Sequence, residues 1–483
     1  MKKPLVATIS KYPPYISGPS TEAKNQAKAL FEITGYKHHQ VTYNPTLYQL
    51  QQKTSDVNPR INALNNTALA VKLRRNHGLT PVELHNNQPK VDDYFKLKEK
   101  SEKFVNIHRI NPLAQADVKV FDGELIKAFI GRVINLVQNK GVNVLSTYYL
   151  DPHAYIANQA KLYAKKILNK EVITAHKAIG SDILNSIANH LEDGQGKFLL
   201  LQLLEGDLMF AVSKYAKDKI IEFSSIILPP EASSQIASKL QVLYAPVENE
   251  YLKKKDMKAI KNFKKEFKIN PNFKIISTFG RVFPEKGIDD LIKAYGMIKK
   301  TFPKTCLVIG GDGIELDNLK KLASDLKLTD VYFTGAILDP EKKRALMQSS
   351  VLGIIPTKPT PTFVETLCIS ALEYQASGCV MLTTRVGGVP EAAGEHSLYA
   401  KHSDPKDLAR KIAQVLKGEI NREEIIKRGL EHVDKFNYLK ITRDFLEMVA
   451  KEREQKKPVS VAIEPEFWLT PSLVKPFGKR YKI

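Results

Sequence analysis

The chain has 483 residues, too many for one hydrophobic core and enough for two α/β domains. It is 43% hydrophobic with a net charge of +21, which describes a packed globular protein whose field attracts anions such as phosphorylated substrates, acidic lipids or nucleic acid. Three cysteines, Cys306, Cys368 and Cys379, with no CxxC pair, argue against a disulfide framework or a structural zinc site and for a reducing cytoplasm.

The opening MKKPLVATISKYPP holds too short an apolar run for a signal peptide or a membrane span, and no later run is long enough to cross a bilayer. A cytoplasmic protein is expected, with peripheral contact at the inner membrane face left open. PLVATIS reads as a strand, the segment from Ser20 to Tyr36 as a helix, and HQVTYNP as a second strand. Residues 46–100 are polar and rich in Asn, Gln and Lys, and read as an insertion with one or two helices. Within it, ALAVKLRRNHGL is either a packing helix or a segment that docks on an anionic membrane. Alternation then resumes with FVNIHRI, GELIKAFIGRVINLVQNKG, VNVLSTYY, PHAYIANQAKLYAKKILNK, EVITAH, GDLMFAVS and LQVLYAPV. A second set of strands follows: FKIISTFGRV, KTCLVIGG, DVYFTGAI, SVLGIIP and CVMLTT, with the closing helix DPKDLARKIAQVLKG.

This pattern predicts an N-terminal Rossmann-like domain over 1–247 and a second domain over 248–435. A helix and tail, with Trp468, follow over 436–483. Two doubly wound domains place a ligand cleft at the C-terminal ends of their strands. No GxxxxGK[ST] occurs, which excludes a Walker-type NTPase, and no basic-aromatic motif of the nucleic-acid-binding modules is present.

The chemistry concentrates in the second half. PTFVETLCISALEYQASGCV reads as a helix from Val364, with Glu365 and Glu373 eight residues apart. On one helix that is roughly 12 Å, the reach from the ribose to the sugar of a nucleotide diphosphate sugar. The helix start would offer its N–H groups to phosphate. Thr362 and Glu365 also fit a plain capping box. Two acids stacked along one helix cannot bracket a glycosidic bond, which sets a glycosidase aside. In STFGRVFPEKGIDD, Arg281 and Lys286 fall between a strand and a helix, where two cations can neutralise a diphosphate; singly, each reads as a surface charge. TTRVGGVPE adds Gly387 and Gly388, a close backbone approach beside the same cleft.

Taken in order, FGRVFPEKGID, LVIGGDG, VYFTGAI, ETLCISALEYQASG and TTRVGGVPE resemble the C-terminal half of retaining glycosyltransferases of family 4, which have the GT-B fold. The first half is similar more loosely. YISGPSTEAKNQAKALFEITGY resembles the glycine-rich loop and helix of that family, with Ser17-Gly18 in place of Gly-Gly. VITAHKAIGSD resembles its T-x-H-G-x-D strand end, with extra residues before Asp182, and the crossover has Ala245-Pro246 in place of Asn-Gly.

The resemblance implies an α/β GT-B enzyme that moves a sugar from a nucleotide diphosphate sugar to a hydroxyl acceptor with retention, the leaving diphosphate taking the acceptor proton. It implies that Glu373 binds the ribose and Glu365 the sugar near its reacting face. Arg281 and Lys286 hold the diphosphate with the backbone of Gly18, Thr366, Leu367 and Cys368, and His176 hydrogen-bonds the sugar from the N-terminal side. Thr366 and Cys368 stand where the family often has glycine, and their side chains narrow the sugar pocket. The resemblance also implies that the helix and tail over 436–483 return to the N-terminal domain, and it implies no metal and no cofactor beyond the donor. The acceptor, a saccharide, a lipid-linked molecule or another small molecule, stays open. A disaccharide phosphorylase of the same fold, and a catalytically silent GT-B scaffold on anionic surfaces, are the alternatives.

Overall fold

The computed structural model describes residues 3–12, 18–43, 102–110, 123–180, 187–188, 194–247, 255–337, 339–361 and 363–455. The expected insertion at 46–100, and Ser17, Thr362, Asp182 and Trp468, lie outside these residues.

Strands β1 (Val6–Ile9), β2 (His38–Tyr43), β3 (Val105–Ile110), β4 (Val144–Tyr148), β5 (Ile173–Ala178), β6 (Leu208–Ala211) and β7 (Leu240–Val242) form a parallel sheet in the order β3-β2-β1-β4-β5-β6-β7. A second parallel sheet, β10-β9-β8-β11-β12-β13, is built from β8 (Lys274–Phe279), β9 (Thr305–Gly310), β10 (Val331–Gly335), β11 (Ser350–Ile355), β12 (Met381–Thr384) and β13 (Leu398–Ala400). Parallel strands need a crossover, and helices supply it. In the first half these are α1 (Gly18–Thr34), α2 (Gly123–Asn139), α3 (His153–Lys166), α4 (Gln195–Leu204), α5 (Lys214–Ile227) and α6 (Pro230–Lys239). The second half has α7 (Met257–Glu266), α8 (Ile288–Lys299), α9 (Leu316–Asp325), α10 (Pro340–Ser349), α11 (Ile369–Ala376), α12 (Val389–Ala393), α13 (Pro405–Lys417) and α14 (Arg422–Val433). α15 (Tyr438–Gln455) is the last among the described residues.

Helices on both faces bury the inner strands, which is why β5 and β9 are buried at every position; β9 reads as an apolar or small-residue run, while β5 carries His176 and Lys177 in its buried interior. Each sheet reverses its strand order at one place, between β1 and β4 in the first and between β8 and β11 in the second. Those reversals open crevices beyond the strands' C-terminal ends, where ligands of such sheets bind. The two sets of ends face each other. A Cβ added to Gly18 after β1 would lie 3.4 Å from Ile369 Cδ1, and one on Gly180 after β5 would lie 2.6 Å from Thr366 Oγ1.

The last helix belongs to the first half by packing. Ile441, Phe445 and Val449 of α15 join Val6, Leu30, Val144 and Phe210 in one buried cluster. The chain gets there through a short parallel bridge, in which Val247 N donates to Phe436 O (2.7 Å) and Tyr438 N to Val247 O (3.1 Å). No helix among the described residues is long and apolar enough to cross a membrane.

Two elements depart from the sequence reading. The helix expected from Val364 begins at Ile369, so Glu365 lies in the preceding loop and Glu373 alone is helical. Glu365 therefore forms no capping box, and the helical spacing of roughly 12 Å between the two acids does not apply. The exclusion of a glycosidase by a shared helix falls with it. β5 also runs on to Ala178, two residues beyond His176.

Candidate active site at the facing strand ends

The second sheet's crevice is floored by the ends of β8 and β11. After β8, Pro284–Lys286 form a 3-10 turn closed by Gly287 at φ +62°. A Cβ on Gly287 would come 2.1 Å from Pro356 O, so only glycine lets this turn lie against the end of β11. The turn aims Lys286 at Glu365, and the two side chains form an ion pair that is largely buried. Arg281 is set differently. Its guanidinium meets the buried Glu285 carboxylate at 3.2 Å and lies 4.7 Å from the Phe283 ring and 5.9 Å from Phe363. Its side chain stays 46% exposed, available to a ligand in the cleft.

Glu373 sits deeper on α11. Its carboxylate accepts from Lys343 Nζ of α10 at 2.6 Å, and Lys343 also lies 5.2 Å from the Phe279 ring at the end of β8. A carboxylate taken out of water needs a charged or hydrogen-bonding partner. Here each of the two acids has a lysine, one from each flanking element.

Thr366, Leu367 and Cys368 are buried between Glu365 and the start of α11. Burial, and then the Glu365 carboxylate, push the Cys368 thiol up to about 12, so it is protonated and unreactive at neutral pH. Thr366 reaches Gly180 of the other half. Gly18 opens α1 directly opposite Ile369, which opens α11, so two helix N-termini meet across the cleft.

His176 does not join them. Its ring is fully buried inside the first half, with Nδ1 2.9 Å from Thr147 Oγ1 and Nε2 2.8 Å from Asn158 Oδ1. Burial lowers it to about 3, a neutral ring locked by its neighbours. The expected contact with a sugar is corrected: with the strand continuing to Ala178, His176 lies within the sheet, and Gly180 stands at the cleft.

The profile of the family "Glycosyl transferases group 1" matches residues 259–432, the stretch that carries Arg281, Lys286, Glu365 and Glu373. Over those residues the chain is similar to the group 1 glycosyltransferases. N-acetyl-alpha-D-glucosaminyl L-malate synthase of Bacillus anthracis is 25% identical over 327 residues, covering 66% of this chain and 77% of its own length. A crystal structure of a Rickettsia africae glycosyltransferase superposes with TM-score 0.64 at 14% identity, covering 94% of this chain and all of that one. The Anabaena protein HepE in complex with UDP-glucose gives TM-score 0.61 at 13% identity, covering 92% of this chain and all of that one. These likenesses show the GT-B fold.

Two contacts of charged side chains are not marked in the sequence. Lys343 sits in an ordinary basic run, PEKKRA, and nothing local marks it as the partner of Glu373. Glu391 lies within TTRVGGVPE, where the local pattern marks only the glycines, yet it reaches the other half of the molecule: its carboxylate accepts from the backbone N–H of Lys214 and of Tyr215, each at 2.7 Å.

Proposed function

We propose that this enzyme transfers a sugar, with retention, from a nucleoside diphosphate sugar held between the two halves. The observation that carries the reading is the convergence at the cleft of the α1 and α11 N-termini with Arg281 and Lys286. Two helix N-termini repel each other through their partial positive charges, and an anion between them relieves the repulsion. A diphosphate meets this requirement. It would take N–H groups from both helix starts, including those of Thr366, Leu367 and Cys368, and charge from both cations.

Glu373 and Glu365 then serve the two ends of the donor, ribose and sugar. Lys286 plays a double part in this reading. Its Glu365 partner fixes its position, and an arriving diphosphate shares the ammonium. In the transition state negative charge grows on the leaving diphosphate, and preorganised donors that need not rearrange stabilise it. The departing phosphate oxygen takes the acceptor's proton. The charge supplied by Arg281, Lys286 and the helix termini leaves no step that calls for a metal. HepE, which bears the same fold, was crystallised with UDP-glucose, and this supports testing that donor first.

The test is a panel of nucleotide sugars, including UDP-glucose, UDP-N-acetylglucosamine and GDP-mannose, read by thermal shift and slow donor hydrolysis with and without chelator. One donor should raise the melting temperature and be hydrolysed in either buffer. Replacing Lys286 by Ala should lower its turnover about 10²–10³-fold, the usual loss for one such donor, with an unchanged circular dichroism spectrum. Unaltered turnover in that variant overturns the assigned role. Phosphate-dependent release of a sugar 1-phosphate from a disaccharide, with no nucleotide, would instead favour a phosphorylase.

A further inference from the structure

We propose that Glu391 is a positioning residue that couples the relation between the two halves to the placement of Glu365; its consequence for catalysis rests on the donor site proposed above. The first amides of a helix have no partner within it. At α5 the Ser213 hydroxyl caps Ala216 N (3.0 Å), and the amides of Lys214 and Tyr215 are left for the other half of the molecule. Glu391 takes both, one on each carboxylate oxygen, at 2.7 Å. A carboxylate on a helix N-terminus joins charge-assisted hydrogen bonds to a favourable helix dipole. The Tyr244 hydroxyl donates to the same carboxylate at 3.2 Å, and burial followed by that carboxylate pushes the phenol up to about 12.

Glu391 belongs to α12, a helix of five residues, and the start of that helix is clamped to the catalytic loop. Gly388 N donates to Glu365 O at 2.8 Å. A Cβ on Gly388 would stand 1.9 Å from Thr366 O and 3.2 Å from Ser213 Oγ. Thus the backbone of Glu365 and Thr366, the turn at Gly388 and the cap of α5 touch in sequence, within a few residues. From the far side His432 Nε2 meets Glu391 O at 3.0 Å and fixes α12 to α14. A rotation of the first half about Ser213 must therefore move α12, and α12 cannot move without the carbonyl of Glu365. Donor charge is gripped mainly by the second half, so the loss of this strut would alter turnover and leave donor binding in place.

Hydrogen–deuterium exchange on the full chain separates this from a purely local contact. Glu391→Gln keeps one accepting oxygen and turns an NH₂ toward the second amide. Exchange should rise about tenfold or more at Lys214–Ala216, the loss expected for a charge-assisted bond, and also across Val364–Cys368, where no atom has been changed. Acceleration confined to 214–216 overturns the coupling. If Glu391→Gln lowers the melting temperature enough to raise exchange everywhere, Tyr244→Phe, which removes a single hydroxyl, takes its place with the same two segments read. With UDP-glucose as probe, donor affinity should stay within about twofold while hydrolysis falls about tenfold. Failure of the wild type to bind UDP-glucose would count against that donor alone, because the exchange result needs no donor.

Discussion

Gly387 shows how close the residue scale comes to the chemistry. It holds φ +54°, and a Cβ there would stand 2.2 Å from the Glu365 carbonyl oxygen. Alanine at this position meets both a left-handed backbone and a backbone atom that cannot step aside. Gly387→Ala should cost about 1–3 kcal/mol of stability and displace Glu365, so that turnover falls further than the melting temperature explains. A variant with wild-type turnover would show that the loop tolerates the shift. The glycine pair was legible in the sequence as a close approach. Its partner, the backbone of Glu365, was not, because residues 364–368 are joined to it only where β11 and β12 end side by side.

At the scale of elements the strands were legible and the start of α11 was not. Buried strands are written as unbroken apolar runs, and β8, β9, β11 and β12 fall where those runs lie. Val364–Cys368 carries the same kind of residues as a helix, yet it forms a loop in which Glu365 pairs with Lys286, and α11 follows Cys368 as its N-cap, with no side-chain cap. β2, β3 and β5 carry a second consequence that residue type alone does not announce. His38 receives Val6 N on Nδ1 at 3.0 Å, and His39 and His108 meet ring to ring at 2.9 Å. Burial lowers all three to about 4 from 6.5, and lowers His176 to about 3. The folded state thus binds fewer protons than the unfolded chain between about pH 4 and 6.5, and stability falls as the pH drops through that window. It is complete above 6.5. Thermal unfolding followed from pH 7.5 to 4.5 should show a midpoint that declines once below 6.5; a level profile would mean that these rings are not held neutral.

For the whole molecule, the last described helix, α15, returns to the half that the chain began with. Phe445 is 1% exposed and lies 6.3 Å from the Phe210 ring, and Tyr438 donates to Glu32 at 2.6 Å. Phe445→Ala should destabilise by about 3–5 kcal/mol, the range for deleting a buried aromatic side chain. By chemical denaturation the loss should appear in the transition that reports the first half. A change below 1 kcal/mol would show α15 to be dispensable to that core. The return of the chain itself was expected from the resemblance. The tail beyond it, with Trp468, and the insertion at 46–100 lie outside the described residues.

The sequence by itself determined the two α/β sheets, the order of the strands along the chain and the places where the chemistry-bearing residues cluster. These follow from apolar periodicity and from short motifs, and both act over a few neighbouring residues. Only the tertiary structure decided which charge meets which. Lys286 and Glu365 are 79 positions apart, Lys343 and Glu373 are 30 apart, and Glu391 lies 176 positions from Tyr215. Such partners are set by where strand ends converge and by which groups lose their water together, and no local pattern records either.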